Sequence, residues 1–443
     1  MTTGAVAGAL IALLIRMPAA SGVTLNATPE NVQAVLDKAK PGDTIVLADG
    51  VYRGGITMSR SGAAEAPITV KAEGGKCIVD GGRRDGFVVE HASYVTVEGM
   101  RFQNAGRAGL GVLASAEAPA DRVTVRKCVF ADNGMWGCVT SHINHFTIED
   151  CEAFGSKIQH GIYVANSGDD PIVRRNRIHD NNMCGLHVNG DPEMGGDGVI
   201  SRALIERNVI SRNGKEGGSA INMTHVQDSL VRNNLLYDNL ATGIALYYDT
   251  GGDSHASKRN QLYNNTVFFR PGEGRFSLLA RRDSSDCKVI NNIFVGGKYG
   301  VALIEPSCLA GLTINKNVYA TYPGQVLIGD SSEESAEAAK AFTGAGLEVK
   351  TTKGMEVTVA SWRKAGFDKD SSFGEMPRFV DAAKGDFHLA AGSVGIAMGL
   401  PLYDLVPEDL DGKPRVGKAS DCGAYSTGAA YINDRAGAKE QGK

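Results

Sequence analysis

Through the middle of the chain, short stretches of alternating apolar and polar residues recur between polar, glycine-rich turns, a pattern that predicts β-strands rather than helices. One motif, apolar–x–x–Asn–x–apolar, repeats as Val173-Arg-Arg-Asn176-Arg-Ile178, Ile205-Glu-Arg-Asn208-Val-Ile210 and Val231-Arg-Asn-Asn234-Leu-Leu236. It continues as Leu262-Tyr-Asn-Asn265-Thr-Val267, Val289-Ile-Asn-Asn292-Ile-Phe294 and Ile314-Asn-Lys-Asn317-Val-Tyr319. Earlier copies carry Met100, Cys128 and Cys151 in place of the asparagine. Successive copies, at 100, 128, 151, 176, 208, 234, 265, 292 and 317, lie 23 to 32 residues apart. Self-similarity at such a period marks a repeat architecture.

That period suits one coil of a three-sided β-solenoid and is too short for a parallel crossover through a full helix. The fold class predicted is all-β, a right-handed parallel β-helix with an N-terminal capping helix and a C-terminal cap. Asparagine has a physical reason to sit at the turns. It tolerates the left-handed conformation, and its side-chain amide satisfies backbone groups that a sharp turn leaves unpaired. Stacked at the ~4.8 Å spacing of adjacent strands, such amides would form an inward ladder. A second motif follows each rung, as in Gly161-Ile-Tyr-Val164, Gly185-Leu-His-Val188, Ala220-Ile-Asn-Met223, Gly243-Ile-Ala-Leu246 and Gly300-Val-Ala-Leu303. These are further strands, separated by polar turns such as His179-Asp-Asn-Asn182 and Ser211-Arg-Asn-Gly214.

Solenoid ends expose strand edges and need covering. Thr28 as N-cap and Pro29 as first helical residue predict an amphipathic helix through Lys40, with Val32, Val35, Leu36 and Ala39 on one side. The chain divides into a signal peptide (1–22), an N-terminal cap and first coil (23–55) and the β-helix (56–328). A helical excursion or cap insertion (329–375), a C-terminal β segment and cap (376–430) and a disordered tail (431–443) follow.

Composition narrows the function classes. The net charge of −4 and pI near 6.2 provide no global basic field for nucleic acid. The apolar run Ala5 to Ile15, followed by Pro18-Ala-Ala-Ser-Gly, is too short to span a bilayer and reads as a cleaved export leader. A secreted or periplasmic location follows, with no membrane association after cleavage, and a monomer is expected. The eight cysteines show no zinc spacing, and several fall at repeat positions, so most read as buried fillers, with one bridge between stacked coils left open.

The runs Lys40-Pro-Gly-Asp-Thr-Ile-Val-Leu47, Gly50-Val-Tyr52, Ala66-Pro-Ile-Thr-Val70 and Val95-Thr-Val-Glu-Gly-Met-Arg-Phe102 resemble the opening of β-helix polysaccharide lyases that act on alginate and chondroitin. The stretch from His160 to Asp191 resembles a wider set of β-helix proteins that includes mannuronan epimerases, and Asp409-Leu-Asp-Gly-Lys-Pro-Arg415 resembles their terminal segment. The resemblance implies the pectate, alginate and chondroitin lyase-like superfamily. Neither the Asn-Lys-Ser-Glu type segment of the lyases nor the Asp-Pro-His-Asp motif of the epimerases is present, so no catalytic residue transfers.

The outward positions of the Gly-x-x-Val strands should stack into columns. One column reads Val139, Tyr163, His187, Asn222, Ala245 and Leu279; the other reads Ser141, Ala165, Asn189, Thr224, Tyr247 and Arg281. A lyase acting on a uronate needs a group that neutralises the carboxylate and a base for the adjacent proton. His187 or Tyr163 is expected as base and Asn222 as donor to the carboxylate, with His160 and Asp191 completing the catalytic set. Asn189, Thr224, His225, Tyr247, Asp249, Arg281, Arg282 and Trp136 are expected to bind substrate, Trp136 and Tyr248 by stacking on sugar rings. Arg281 and Arg282, with Lys258, Arg259, Arg270 and Arg275, read as one basic cluster. No metal-ligand set stands out, although Asp169, Asp170, Asp191 and Asp197 could gather Ca2+.

The function expected is β-elimination on a uronate-containing polysaccharide or oligosaccharide. A glycoside hydrolase using Asp191 and Asp249, or a uronan epimerase, is the enzymatic alternative. A non-catalytic glycan-binding or surface solenoid is the alternative from outside enzymology.

Overall fold

The computed structural model describes residues 22–331, 335–351 and 354–427. All but Gly22 of the expected leader, and all of the expected tail, lie outside the described residues. No helix of the described residues is long and apolar enough to cross a membrane.

Three parallel sheets run along one axis. The first has 12 strands, from Thr24–Ala27 to Thr313–Asn315; the second has 12, from Gly50–Arg53 to Ser372–Phe373; the third has 10, from Ile56–Met58 to Ala302–Ile304. Each coil adds one strand to each sheet in turn, as in Ile172–Arg174, Arg177–His179 and Leu186–Asn189. Adjacent coils pair in register, with Val173 between Ile148 and Ile205. Inward side chains such as Ile148, Val173, Ile178, Leu186 and Ile205 fill one continuous buried core.

The asparagine ladder closes the first corner, between first and second sheets. Each side-chain amide donates to the next carboxamide oxygen: Asn176 to Asn208 at 3.0 Å, Asn208 to Asn234 at 3.0 Å and Asn234 to Asn265 at 2.9 Å. Asn265 donates to Asn292 at 3.0 Å and Asn292 to Asn317 at 3.1 Å. The left-handed residue is not the rung itself, as the sequence suggested, but the one before it: Arg175, Arg207, Asn233, Asn264, Asn291 and Lys316 all have φ between 52° and 61°. The rung side chain can turn inward because its predecessor takes the unusual backbone conformation. Cys151 and Cys128 extend the line, with the Cys128 amide on Cys151 Sγ. All eight cysteines are buried free thiols, so no pair of coils is bridged.

A second ladder lines the second corner, where the sequence predicts plain turns. Asn181 donates to Asn213 at 2.9 Å and Asn213 to Asn239 at 3.1 Å, each preceded by a left-handed residue, Asp180, Arg212 or Asp238.

The capping helix is shorter than predicted and spans Val32–Leu36, with Asn31 rather than Thr28 at its N-cap. Asn31 turns its side chain back to accept from the Thr28 amide, leaving residues 29–31 as a turn. Val32, Leu36 and Ala39 still bury against the first coil. Beyond Ile328 the excursion carries helices Ser335–Gly344 and Val359–Lys364 and a small antiparallel sheet, then returns as Ser372–Phe373 to the second sheet. The last segment does not close the end of the solenoid. It runs back alongside, and Phe387, Leu389, Cys422 and Ala424 cover the outer face of the second sheet at Leu235, Phe268, Ile293 and Val318. Arg415, itself buried, donates to Asn233 Oδ1 and the Gly423 carbonyl.

Candidate active site

The third sheet brings the expected columns together. Tyr163, His187, Asn222, Ala245 and Leu279 pair in succession, as do Ala165, Asn189, Thr224 and Tyr247. The rings of Tyr163 and His187 stack at 4.7 Å and 15°, Trp136 lies 5.8 Å beyond Tyr163, and the Arg107 guanidinium caps Trp136 at 6.0 Å. A line of flat groups therefore follows the solenoid axis, with Trp136 inside it.

Hydrogen bonding fixes what the histidines can do. The Cys184 amide donates to His160 Nδ1 at 3.2 Å, so the proton of a neutral His160 ring sits on Nε2. That nitrogen faces His187 Nδ1 at 3.0 Å, which must accept and therefore leaves the proton of His187 on Nε2. Among the described residues, His187 Nε2 is itself buried without a partner. Burial pushes His160 down to about 4 and His187 well below the usual histidine range, so both stay neutral. The expectation that His187 is the base does not fit this geometry: one nitrogen is occupied, the other is protonated and covered. His160, itself buried, supports His187 instead of meeting a ligand. Ligand atoms of His160, Cys184 and His187 lie within 4.8 Å of one another, but His160 Nε2 could bind a metal only by giving up its proton.

Below this pair, Asn189 Nδ2 reaches the Tyr163 hydroxyl at 3.4 Å, and its Oδ1 accepts from the Asp191 amide at 3.1 Å. The same oxygen meets His225 Nδ1 at 2.9 Å, while His225 Nε2 faces the Thr250 carbonyl at 3.1 Å and Asp249 Oδ1 at 3.2 Å. Burial lowers the His225 pKa against the pull of Asp249 and that carbonyl. Burial likewise raises that of Tyr163, which stays a phenol.

An open groove of about 470 Å3 begins beside this network, lined by Asn222, Tyr247, Asp249, Arg275, Arg281 and Arg282. Asn222 Nδ2 donates to the Tyr247 hydroxyl at 3.0 Å and to Thr224 Oγ1 at 3.1 Å, and its Oδ1 accepts from Ser219. Arg275 is held by the Gly218 carbonyl and Arg282 by the Tyr248 carbonyl, both at 2.9 Å. Neither is in a salt bridge among the described residues, whereas Arg281 pairs with Glu305 at 2.6 Å.

A family model described as "Right handed beta helix region" matches residues 54–195 and 156–334. The chain belongs to the right-handed β-helix family. Among solved structures it is similar to pectate lyase Pel9A, at 15% identity over 92% of this chain and 97% of that one, with a TM-score of 0.56. It is also similar to an alginate lyase from Paenibacillus sp. str. FPU-7 (21% identity, 69% of this chain, 97% of that one, TM-score 0.52). A third match is XylC in complex with xylose (10% identity, 92% and 98% covered, TM-score 0.51). At these identities the likeness shows the fold. Among curated proteins none matches.

In this β-helix, several residues that the sequence suggested lie elsewhere or are already engaged. The basic cluster divides: Arg259 pairs with Asp228 and Arg270 with Asp238, on other corners, leaving Arg275, Arg281 and Arg282 at the groove. Asp191, left-handed at φ 50°, caps the short helix Pro192–Met194 through the Glu193 amide. Asp169 and Asp170 hold Arg202, and the four aspartates named for calcium form no ligand group among the described residues. Sequence reasoning missed Ser219 and the Thr250 carbonyl, which act through partners on neighbouring coils and leave no local pattern.

Proposed function

We propose that the groove between Arg275, Arg282 and Tyr247 binds an acidic polysaccharide and cleaves it by β-elimination. The observation that carries this reading is the pair of guanidiniums that, among the described residues, are held by backbone carbonyls alone, beside a phenol whose oxygen already accepts from an amide. Their unused N–H groups suit the planar carboxylate of a uronate sugar, and that charge neutralisation acidifies the proton on the neighbouring carbon.

In this reading Tyr247, which lines the groove with Arg275 and Arg282, moves the proton. As the C5 proton leaves, its electron pair forms the C4–C5 double bond, the C4–O bond breaks, and the departing oxygen takes up a proton. In its phenolate form Tyr247 takes the C5 proton and becomes a phenol, then returns that proton to the leaving oxygen. The Asn222 amide, which donates to the same oxygen, stabilises the phenolate before the first transfer and after the second. Tyr163, held protonated by burial, is an alternative donor. The hydrolase reading is less favoured because Asp191 caps a turn and Asp249 is engaged by His225. A polysaccharide substrate also agrees with an export leader at residues 1–22 and a secreted or periplasmic protein.

The test is incubation with a panel of uronate polysaccharides, following absorbance at about 235 nm, where an unsaturated uronate product absorbs, together with new reducing ends. Both should rise together. Reducing ends without absorbance would replace elimination by hydrolysis, and neither signal with any glycan would leave binding or epimerisation.

A further inference from the structure

The two corners that carry asparagine ladders are finished differently. Along the later coils, the chain's own last segment covers the first corner: Asn233, Asn264 and Asn291 are buried beneath Arg415, Asp421 and Leu400. The second corner is left open and forms a trough of about 610 Å3.

Five successive coils line it, at Gly155–Lys157, Asp180–Asn182, Arg212–Lys215, Asp238–Leu240 and Arg270–Glu273. Four steps of ~4.8 Å make it about 19 Å long, parallel to the solenoid axis. Its guanidiniums are neutralised in place, Arg212 by Asp180 at 2.6 Å and Arg270 by Asp238 at 2.8 Å. Lys157 and Lys215, both exposed, enter no salt bridge among the described residues and outnumber the one remaining lining carboxylate, Glu273. Leu240 lies half-exposed in the same trough.

From this we infer a second, non-catalytic glycan site: the trough takes an extended acidic saccharide along the solenoid axis, its anionic groups at Lys157 and Lys215 and the apolar face of a sugar ring on Leu240. The length suits a strand of several sugars, and the excess of free ammonium groups selects charge. The turn from Arg212 to Gly218 separates this trough from the groove at Arg275. A long chain bound in the trough would raise its own local concentration at that groove.

The site is tested by binding, independently of cleavage, by titration calorimetry of the full chain carrying Tyr247→Phe and Arg282→Ala. The probes are oligogalacturonate and oligoalginate of about ten residues, with maltodecaose as the neutral control. The acidic probes should bind, the neutral one should not, and adding Lys157→Glu and Lys215→Glu should raise Kd at least tenfold at unchanged melting temperature. Lys157→Ala with Lys215→Ala should give a smaller loss, and added salt should weaken binding. Unchanged affinity after charge reversal, equal binding of maltodecaose, or no binding of either acidic probe would overturn the inference. Acidic-probe binding that persists while no glycan is cleaved by the native chain would remove the lyase and keep the trough.

Discussion

Asn317, the last rung of the first ladder, donates its side-chain amide to Asp368 at 3.2 Å, although 51 residues separate them. Asp368 is fully buried and also accepts from Tyr319 Oη, Trp362 Nε1 and Ser371 Oγ, while the Ser371 hydroxyl takes the Asn317 amide N–H. Where the next coil would have supplied another asparagine, the excursion returns and supplies a carboxylate. Asp368→Ala would leave four donors without an acceptor in the core. It should cost about 3–5 kcal/mol in chemical denaturation. A loss under ~1 kcal/mol would show that the ladder needs no such terminus.

How much of this was legible varies with the range of the interaction. The rungs from Asn176 to Asn317 repeat within a fixed local motif, and the Gly-x-x-Val strands keep a strict period of two, so the ladder and the outward columns could be read directly. The Asn181–Asn213–Asn239 ladder follows the first at a constant offset, but Ser156 and Arg270 interrupt its repeat and hide it among turn residues. The strands Leu235–Tyr237, Ile293–Val295 and Val318–Ala320 are apolar on both sides, a signal of the covered face of the second sheet that the sequence reading does not use. The roles of His187 and the arginines were not legible. They depend on a backbone amide at Cys184 and on carboxylates one coil away, which no local spacing encodes.

The buried histidine pair predicts a pH dependence. His160 falls to about 4 in the fold from 6.5, and burial also holds His187 well below the usual histidine range, so the unfolded chain binds more protons below about 6.5. The stability this pair contributes is complete above that pH and declines as pH falls toward 4, by on the order of 3 kcal/mol for His160 alone. His388, raised by Asp386 and Asp411 against its burial, works in the opposite sense and loses its contribution as pH rises through its elevated pKa. His160→Asn keeps an acceptor for the Cys184 amide and removes the titration. Its stability between about pH 6.5 and 4 should change less steeply than that of the native chain, and an equal slope would contradict the assignment.

Phe387 joins the last segment to the solenoid, packing at 5.1 Å from both Phe268 and Tyr237. Phe387→Ala should cost about 3–5 kcal/mol and increase hydrogen exchange across residues 376–427, with the central coils still protected. Uniform loss of protection would mean that this segment and the coils unfold as one unit.

Arg282 should act in both binding and turnover, because the carboxylate charge it neutralises grows as the C5 proton leaves. Arg282→Ala is expected to raise KM about tenfold or more on a uronate polymer and to lower kcat as well, and Arg282→Lys, a point charge without the fork, should recover only part of each. Full recovery by lysine would show that charge alone suffices.

The most direct test of the account is the rate of absorbance increase at about 235 nm on a cleaved uronate polysaccharide, for the native chain and for Tyr247→Phe. The account predicts a kcat at least ~100-fold lower in the variant, with KM and melting temperature nearly unchanged. Native turnover in Tyr247→Phe would contradict it.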